Sequence, residues 1–182
     1  MRVPRQAAAP RPLTREEITA ICLANLLDNV TEQIYFKDLE SRFLRVSSRQ
    51  ADVLGAESPE AVEGTTDVDY FSAEHARRAF EDEQRIISTG QRMINFEETQ
   101  TWPDRPVDFM TASKYPLRDA DGTIIGTFGL SSDITRRVLA EAASEAYSTE
   151  VTAANLELRR VGCELGILLE RWTSSRSPRR PG

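Results

Sequence analysis

The chain is poor in the side chains that hold metals or perform acid–base chemistry. Its 182 residues include one histidine and two cysteines. His75 has no second histidine to work with, and Cys22 and Cys163 lack metal-ligand spacing, so we expect no metal site and no disulfide framework. A phosphate-binding glycine loop, a nucleophile elbow and a kinase or cyclase signature are also missing from the sequence. We therefore expect no enzymatic activity, and nothing in the sequence requires a cofactor.

Long apolar runs are absent as well. No stretch approaches the roughly 20 residues that cross a bilayer, and the apolar run 7–9 is too short for a signal-peptide core. We expect no membrane partner and a cytoplasmic location. The net charge is −6, from 23 basic and 29 acidic side chains. Because phosphate binding needs clustered basic residues, we also expect no nucleic-acid partner.

The patterns that are present predict an α+β chain. Thr14 and Glu17 form a capping-box pattern, which predicts a helix over Arg15–Asn29. The Asp121-Gly122 pair between apolar segments predicts a hairpin turn. The other predicted elements are strands at 33–36, 42–46, 93–102, 106–116 and 123–132, short helical pieces over 47–71, and a helix over 72–89 that stops at Gly90. Consecutive hairpins with grouped helices favour a sheet covered by helices.

The C-terminal segment carries a heptad pattern. Apolar positions there alternate in steps of four and three, as in a coiled-coil seam. The seam residues are Tyr147, Val151, Ala154, Leu158, Val161, Leu165 and Leu168. A lone helix with this stripe exposes much apolar surface. We expect it to pair in a homodimer, and packing back on the chain's own sheet is the alternative.

Between the first helix and the heptad segment, the residues resemble a PAS domain. The resemblance rests on Ile34-Tyr-Phe-Lys-Asp38, Ser41-Arg-Phe-Leu-Arg-Val46, Ser113-Lys-Tyr-Pro-Leu-Arg118, Ile125-Gly-Thr-Phe-Gly129 and Asp133-Ile-Thr135, and it covers about residues 22–137. It implies a five-stranded antiparallel sheet of order 2-1-5-4-3 with helices on one face. The resulting organisation is a disordered leader (1–12), a flanking helix (13–29), a PAS domain (30–135), a coiled-coil signalling helix (136–172) and a disordered tail (173–182).

The resemblance also implies a function. PAS domains sense a small ligand or a partner and pass the signal to histidine kinases, diguanylate cyclases or phosphatases. Asp133, Ile134 and Thr135 would relay it, because they join the last strand to the C-terminal helix and can cap that helix. In the family this aspartate pairs with a basic residue of the domain.

A ligand cavity between sheet and helices would be lined by apolar side chains. The candidates are Phe36, Phe43, Phe71, Phe80, Ile87, Phe96, Phe109, Tyr115 and Phe128, although such side chains also simply fill a core. His75 is expected to be a solvated surface residue, one turn too early in its helix for a heme ligand. Covalent flavin chemistry is excluded because neither cysteine lies on the short helices. The alternatives to a ligand or partner sensor are a sensor with heme or non-covalent flavin, and a ligand-free dimerisation scaffold.

Overall fold

The computed structural model of the protein describes residues 11–175. They form two units, one ending at Thr135 and one beginning at Arg136, which are described separately. Most of the leader expected at 1–12 and most of the tail expected at 173–182 lie outside the described residues. Within residues 11–175, no helix is long and apolar enough to cross a membrane.

The element order follows the sequence prediction. The first unit contains helix α1 (Arg15–Asn29), strands β1 (Gln33–Lys37) and β2 (Phe43–Val46), helices α2 (Ser48–Leu54) and α3 (Pro59–Val62), the 3-10 turn η1 (Asp67–Asp69), helix α4 (Ala73–Thr89), and strands β3 (Met93–Gln100), β4 (Asp108–Arg118) and β5 (Ile124–Asp133). The five strands form one sheet of order β2-β1-β5-β4-β3. All four strand pairs are antiparallel. The predicted α+β PAS fold is confirmed.

Local chemistry explains where the helices begin and end. At the start of α1, the Thr14 hydroxyl accepts a hydrogen bond from Glu17 N, and the Glu17 carboxylate accepts one from Thr14 N. At the start of α4, the Ser72 hydroxyl accepts a hydrogen bond from His75 N. Gly90 ends α4 in the left-handed conformation, with φ of 70°, which costs glycine little because it has no Cβ.

The β3–β4 turn shifts two strand boundaries. The sequence predicted strands at 93–102 and 106–116, whereas β3 ends at Gln100 and β4 begins at Asp108. The intervening residues 101–107 contain two prolines, which lack the N–H that a sheet ladder needs. In this turn Trp102 Nε1 donates to Asp108 Oδ2 at 2.9 Å, so the wide turn is held by side-chain bonds.

An apolar cluster fills one end of the first unit. Phe43, Val46, Ala51 and Val62 are buried there, where β2 meets α2 and α3. Leu27 is the buried residue of α1. Burial of these side chains supplies the hydrophobic stabilisation of this end of the unit. The middle of the sheet instead buries polar and charged side chains.

The second unit is part of one long helix. Helix α5 runs from Thr135 to Ser175, so it extends slightly beyond both ends of the predicted 136–172. Its seam side chains are largely exposed in the single chain, including Tyr147 (70%), Leu158 (69%) and Leu165 (58%).

Candidate functional site

The helix-covered face of the sheet is polar in its middle. In β1 the side chains of Gln33 and Lys37 are buried at 3% and 1% exposure. Tyr35 shares their face, because alternate residues of a strand point the same way. Ile34 and Phe36 therefore lie on the outer face. The strand buries its polar positions and turns its most apolar ones outward.

A buried ion cluster occupies this interior. Lys37 Nζ donates to Asp67 Oδ2 of η1 and, at 2.7 Å, to Glu83 Oε1 of α4. The Lys37 and Glu83 side chains are almost fully enclosed, at 2% and 1% exposure. Such a cluster costs desolvation energy that its mutual attraction must offset. It joins β1, η1 and α4 by charge rather than by apolar contact.

The cluster alters the protonation of its members. Burial alone would lower the pKa of Lys37, but the carboxylates of Asp67 and Glu83 outweigh it and raise that pKa. Burial, together with the negative charge of Asp67, raises the pKa of Glu83 against the opposing effect of Lys37. Glu83 therefore gains a proton more readily than an ordinary glutamate does.

A second buried lysine faces the same interior. Lys114 of β4 is 3% exposed, and its Nζ lies 3.3 Å from Asp82 Oδ2 and 3.9 Å from Glu98 Oε2. Lys37 and Lys114 are the only lysines in the sequence, whose other basic side chains, His75 apart, are arginines. Both lysines lie in the interior.

A small cavity separates these groups. It has room for about 20 Å³, which is enough for one water-sized occupant. Its lining residues are mostly polar: Tyr35, Lys37, Phe43, Gln50, Asp67, Phe71, His75, Ala79, Glu83, Glu98, Gln100, Lys114 and Ser131. The cavity as it stands has no space for a porphyrin or a flavin.

Tyr35 forms part of the cavity wall because a glycine lies beneath it. Gly129 of β5 is paired with Tyr35, and a Cβ at this position would overlap the tyrosine hydroxyl and ring. Burial, followed by the nearby Glu83 carboxylate, raises the pKa of Tyr35 well above its ordinary value. The phenol therefore stays protonated and can act as a hydrogen-bond donor in the cavity.

The expectation that His75 is a solvated surface residue is wrong. The side chain is 7% exposed, and its Nδ1 lies 3.2 Å from the Thr99 carbonyl oxygen. The centroid of its ring lies 4.5 Å from that of Phe71, and the centroid of the Phe71 ring lies 4.5 Å from that of Trp102. Although His75 is near the start of α4, the wide β3–β4 turn brings Trp102 over Phe71 and closes off this side. Burial lowers the pKa of His75.

The predicted pocket residues are divided between different places. Phe43 and Phe71 line the cavity. Phe36, Tyr115 and Phe128 do not, because they stack on one another across β1, β5 and β4 on the outer face, with centroids 5.7 and 5.1 Å apart. The other four do not line the cavity either. Phe80 is half exposed in a surface groove beside η1, and Ile87 is partly buried in α4. The centroid of the Phe96 ring lies 5.4 Å from Lys114 Nζ, and Phe109 pairs with Thr99 between β4 and β3. These residues do not form a single pocket.

The predicted relay residues tie β4 to the start of α5. Ile134 N donates to the Phe109 carbonyl at 2.8 Å, and the Thr135 hydroxyl accepts from Phe109 N at 2.8 Å. Asp133 Oδ1 accepts from Thr135 N at 2.8 Å. Within residues 11–175, Asp133 makes no ion pair within 4 Å, so the basic partner implied by the resemblance is not found there. Hydrogen bonds to Phe109 make the link instead.

Sequence reasoning missed the residues that define the interior. Lys37, Glu83, Gln100 and Lys114 were not among the candidates because the pocket was expected to be apolar. A signal was present, however. Each of the two lysines lies within a strand next to an aromatic residue, Phe36 beside Lys37 and Tyr115 beside Lys114. Because neighbouring side chains of a strand point to opposite faces, the strand must either bury the lysine or turn the aromatic ring toward the core and the lysine outward.

Comparisons with known proteins agree with this architecture. A family model described as PAS fold matches residues 27–139, whereas no curated protein matches. The PAS domain of Bordetella pertussis BvgS is a similar solved structure, with 21% identity and a TM-score of 0.54, covering 72% of this chain and 98% of that one. At this identity the likeness shows the fold alone.

Two similar structures are of VqmA from Vibrio cholerae. One is of the dimer in the absence of target DNA and the other is a VqmA–ligand–DNA complex. Each is 25% identical, with TM-scores of 0.56 and 0.55, covering 69% of this chain and 53% of that one. This chain therefore spans about half the length of those VqmA chains.

The VqmA structures correct one expectation. The exclusion of nucleic acid as a partner was wrong, because proteins similar to this one bind DNA. The expectation rested on the net charge of this chain's 182 residues. That charge says nothing about what another domain or an associated protein binds. The matched family is sensory or regulatory, and the VqmA structures are of a DNA-binding receptor. With its five-stranded sheet and a family match over most of the first unit, the chain belongs to the PAS-fold family of sensory and signalling modules.

Proposed function

We propose that this chain is a homodimeric sensor that detects a small ligand in its polar interior and transmits occupancy to α5. The observation that carries the proposal is the position of the cavity on the strands that lead to α5. Ser131 and Lys114 line the cavity from β5 and β4, and β5 continues through Asp133 to the start of α5. A shift of either strand would therefore act on the beginning of the helix.

Transmission needs two states that the ligand favours unequally. The interior is suited to this, because it is held by charges whose balance an occupant changes. A ligand that altered the Lys37–Glu83 pair would change how α4 sits against the sheet. The Phe109–Thr135 hydrogen bonds would then carry the change in β4 to the helix.

Pairing through α5 is supported by its exposed seam. The experiment is sedimentation equilibrium of the full chain with Leu158→Glu, which places a charge on the seam. Leu156→Glu is the matched control, because Leu156 is similarly exposed, at 64% against 69% for Leu158, but lies off the seam. We expect Leu158→Glu to dissociate the dimer and Leu156→Glu to leave it intact. A monomeric wild type, or equal effects of both changes, would contradict pairing through this seam.

The outer face of the sheet is a second surface for the same dimer. It carries the Phe36–Phe128–Tyr115 stack and the exposed Leu130. If Leu158→Glu weakened the dimer without abolishing it, this face would account for the remainder. Phe128→Ser in the Leu158→Glu background tests that assignment by the same measurement.

The output partner is proposed by analogy with the family. A histidine kinase, a diguanylate cyclase or a phosphatase is a candidate. A DNA-binding domain is another, because one similar structure is a VqmA–ligand–DNA complex and another is the VqmA dimer without its target DNA. The heme or flavin alternative requires the cavity to expand far beyond about 20 Å³. An absorption spectrum of the purified protein tests it, and a protein that neither retains nor responds to any small molecule would instead be a dimerisation scaffold.

A further inference from the structure

Two buried oxygen atoms in the cavity wall accept no hydrogen bond of normal geometry, although the Ser41 hydroxyl lies near enough to the Glu83 carboxylate to lower its pKa. They are Glu83 Oε2 and Gln100 Oε1, on side chains from α4 and β3 that both line the cavity. Leaving a buried acceptor unpaired costs about 1–3 kcal/mol, and native proteins rarely leave such groups unpaired. The two atoms therefore point to an occupant that donates hydrogen bonds.

The orientation of the Gln100 amide follows from its neighbours. Its Nε2 donates to Gln33 Oε1 at 3.3 Å, and Gln33 Nε2 points at the Met110 sulfur at 3.8 Å. A thioether can only accept, so the amino group of Gln33 belongs on the Met110 side. The Gln33 oxygen then faces Gln100 and requires a donor from it. This leaves Gln100 Oε1 as the unpaired acceptor.

The charges around the cavity favour a cation. Three carboxylates line it, from Asp67, Glu83 and Glu98, against the two ammonium groups of Lys37 and Lys114. His75 adds no positive charge at neutral pH, because burial lowers its pKa. Lys37 is held by Asp67 and Glu83, and Lys114 by Asp82 and Glu98. The interior already binds two ammonium groups through carboxylates, and it carries excess negative charge when Glu83 is ionised.

From these observations we infer that the cavity binds a small protonated amine, whose N–H groups donate to Glu83 Oε2 and Gln100 Oε1. The room of about 20 Å³ is enough for one water-sized occupant, so the part of the ligand that enters is restricted to the ammonium group itself. This inference rests on the proposed function and names the ligand class of the same interior. Water, which also donates, is the competing occupant.

The protonation of Glu83 links this binding to pH. Burial and the charge of Asp67 raise the pKa of Glu83, and a cation bound at Oε2 would lower it again. Affinity for an amine should therefore increase as pH rises through the raised pKa. The other charged or titratable groups facing Glu83 are Lys37 and Tyr35 of β1 and Asp67 of η1, with Glu98 and Lys114 across the cavity on β3 and β4.

The experiment is a titration with methylammonium and ammonium chlorides, followed by NMR of the lysine NH₃⁺ groups and by the melting temperature. The two lysines give two identifiable side-chain signals. Potassium chloride at equal ionic strength is the control for charge, because potassium resembles ammonium in size and charge but donates no hydrogen bond. Acetamide and acetate represent neutral and anionic ligands.

The matched variants are Gln100→Met and Gln91→Met. The first removes the unpaired acceptor at nearly constant shape, and the second makes the same change at an exposed position. We expect amines to shift the lysine signals and raise the melting temperature while potassium does not. Gln100→Met should weaken amine binding about 10-fold or more, since a hydrogen bond to a charged group contributes about 1.5–3 kcal/mol, and Gln91→Met should bind as wild type.

Four results would overturn the inference. Equal effects of potassium and amines would mean that charge alone is sensed. Unchanged amine binding by Gln100→Met would remove the assigned acceptor. Binding of acetamide or acetate in place of amines would refute the ligand class while leaving the proposed sensory function intact, and no response to any compound would leave water as the occupant and count against ligand sensing itself.

Discussion

Lys37 Nζ lies 2.7 Å from Glu83 Oε1, and both side chains are almost fully enclosed. A PAS-fold sheet is thus joined to its long helix α4 by an ion pair at the centre of the domain. The third member, Asp67, connects the same ammonium to η1. Because the members come from three separate elements, the cluster determines how sheet and helices fit together.

Removal of the shared cation should destabilise the domain strongly. Lys37→Met leaves the Asp67 and Glu83 carboxylates buried without a counter-charge, and breaking a buried pair in this way costs about 3–5 kcal/mol. Arg42→Met is the control, because the half-exposed Arg42 pairs with Asp38 and Glu40 at the surface and such pairs contribute less than about 1 kcal/mol. Urea denaturation measures both, and similar small losses would refute a structural role for the cluster.

The two lysines should be protected from chemical modification. Both are about as buried as the apolar core, at 1% for Lys37 and 3% for Lys114, so formaldehyde and a borohydride reagent should dimethylate only the terminal amine of the native protein. After unfolding in urea, two further sites should react. Mass spectrometry counts the added groups. If either lysine of the native protein reacted as fast as the terminal amine, the interior would be accessible to solvent and reagent.

His75 should make stability depend on pH. Burial lowers its pKa in the folded protein below the ordinary 6.5, so the unfolded chain binds a proton first. The stabilising contribution is fully present above pH 6.5 and is lost as pH falls through 6.5 toward the lowered folded pKa. Glu83, whose pKa is raised from 4.5, has the opposite effect on stability. As pH falls through its raised pKa toward 4.5, the folded protein takes up the proton first and becomes more stable.

His75→Asn separates the two effects. The asparagine amide can replace the Nδ1 donor to the Thr99 carbonyl but does not titrate. We expect the wild type to lose more stability than His75→Asn between pH 7 and pH 5, measured by urea denaturation, while Glu83 contributes equally to both proteins. Parallel pH curves would mean that His75 is not held neutral by burial.

The connection between β4 and α5 can be tested at one hydroxyl. Thr135→Val removes the acceptor for Phe109 N, which should cost about 1 kcal/mol and speed hydrogen exchange at the Phe109 amide. Thr135→Ser keeps the hydroxyl and should behave as wild type. If exchange at Phe109 were the same in all three proteins, the hydrogen bond would not hold the strand to the helix start.

The sequence predicted the framework because its signals are local. The capping box at Thr14 and Glu17, the helix stop at Gly90 and the Asp121-Gly122 turn each act within a few residues of backbone. All three appear in the structure. The strand order came from resemblance to a family and not from periodicity.

The interior was not predicted because its polarity reverses the usual rule. Apolar alternation normally marks the buried face of a strand, but β1 buries Gln33 and Lys37 and turns the half-buried Ile34 and Phe36 to the outer side. The choice is made by partners distant in sequence, Asp67 and Glu83, which no local pattern connects to Lys37. His75 was misplaced for a related reason, since the β3–β4 turn that covers it follows about 25 residues later.

The central claim is that a change in the polar interior reaches a paired α5. Its most direct test is the distance between spin labels on Cys163 of two protomers, measured in a Cys22→Ser background so that only this exposed, off-seam cysteine is labelled. The account predicts an interprotomer distance that shifts when methylammonium is added to the otherwise native protein, and a shift in Gln100→Met that needs at least about 10-fold more methylammonium. Absence of a dipolar signal would contradict pairing of α5, and a signal that saturating methylammonium leaves unaltered would contradict transmission from the interior.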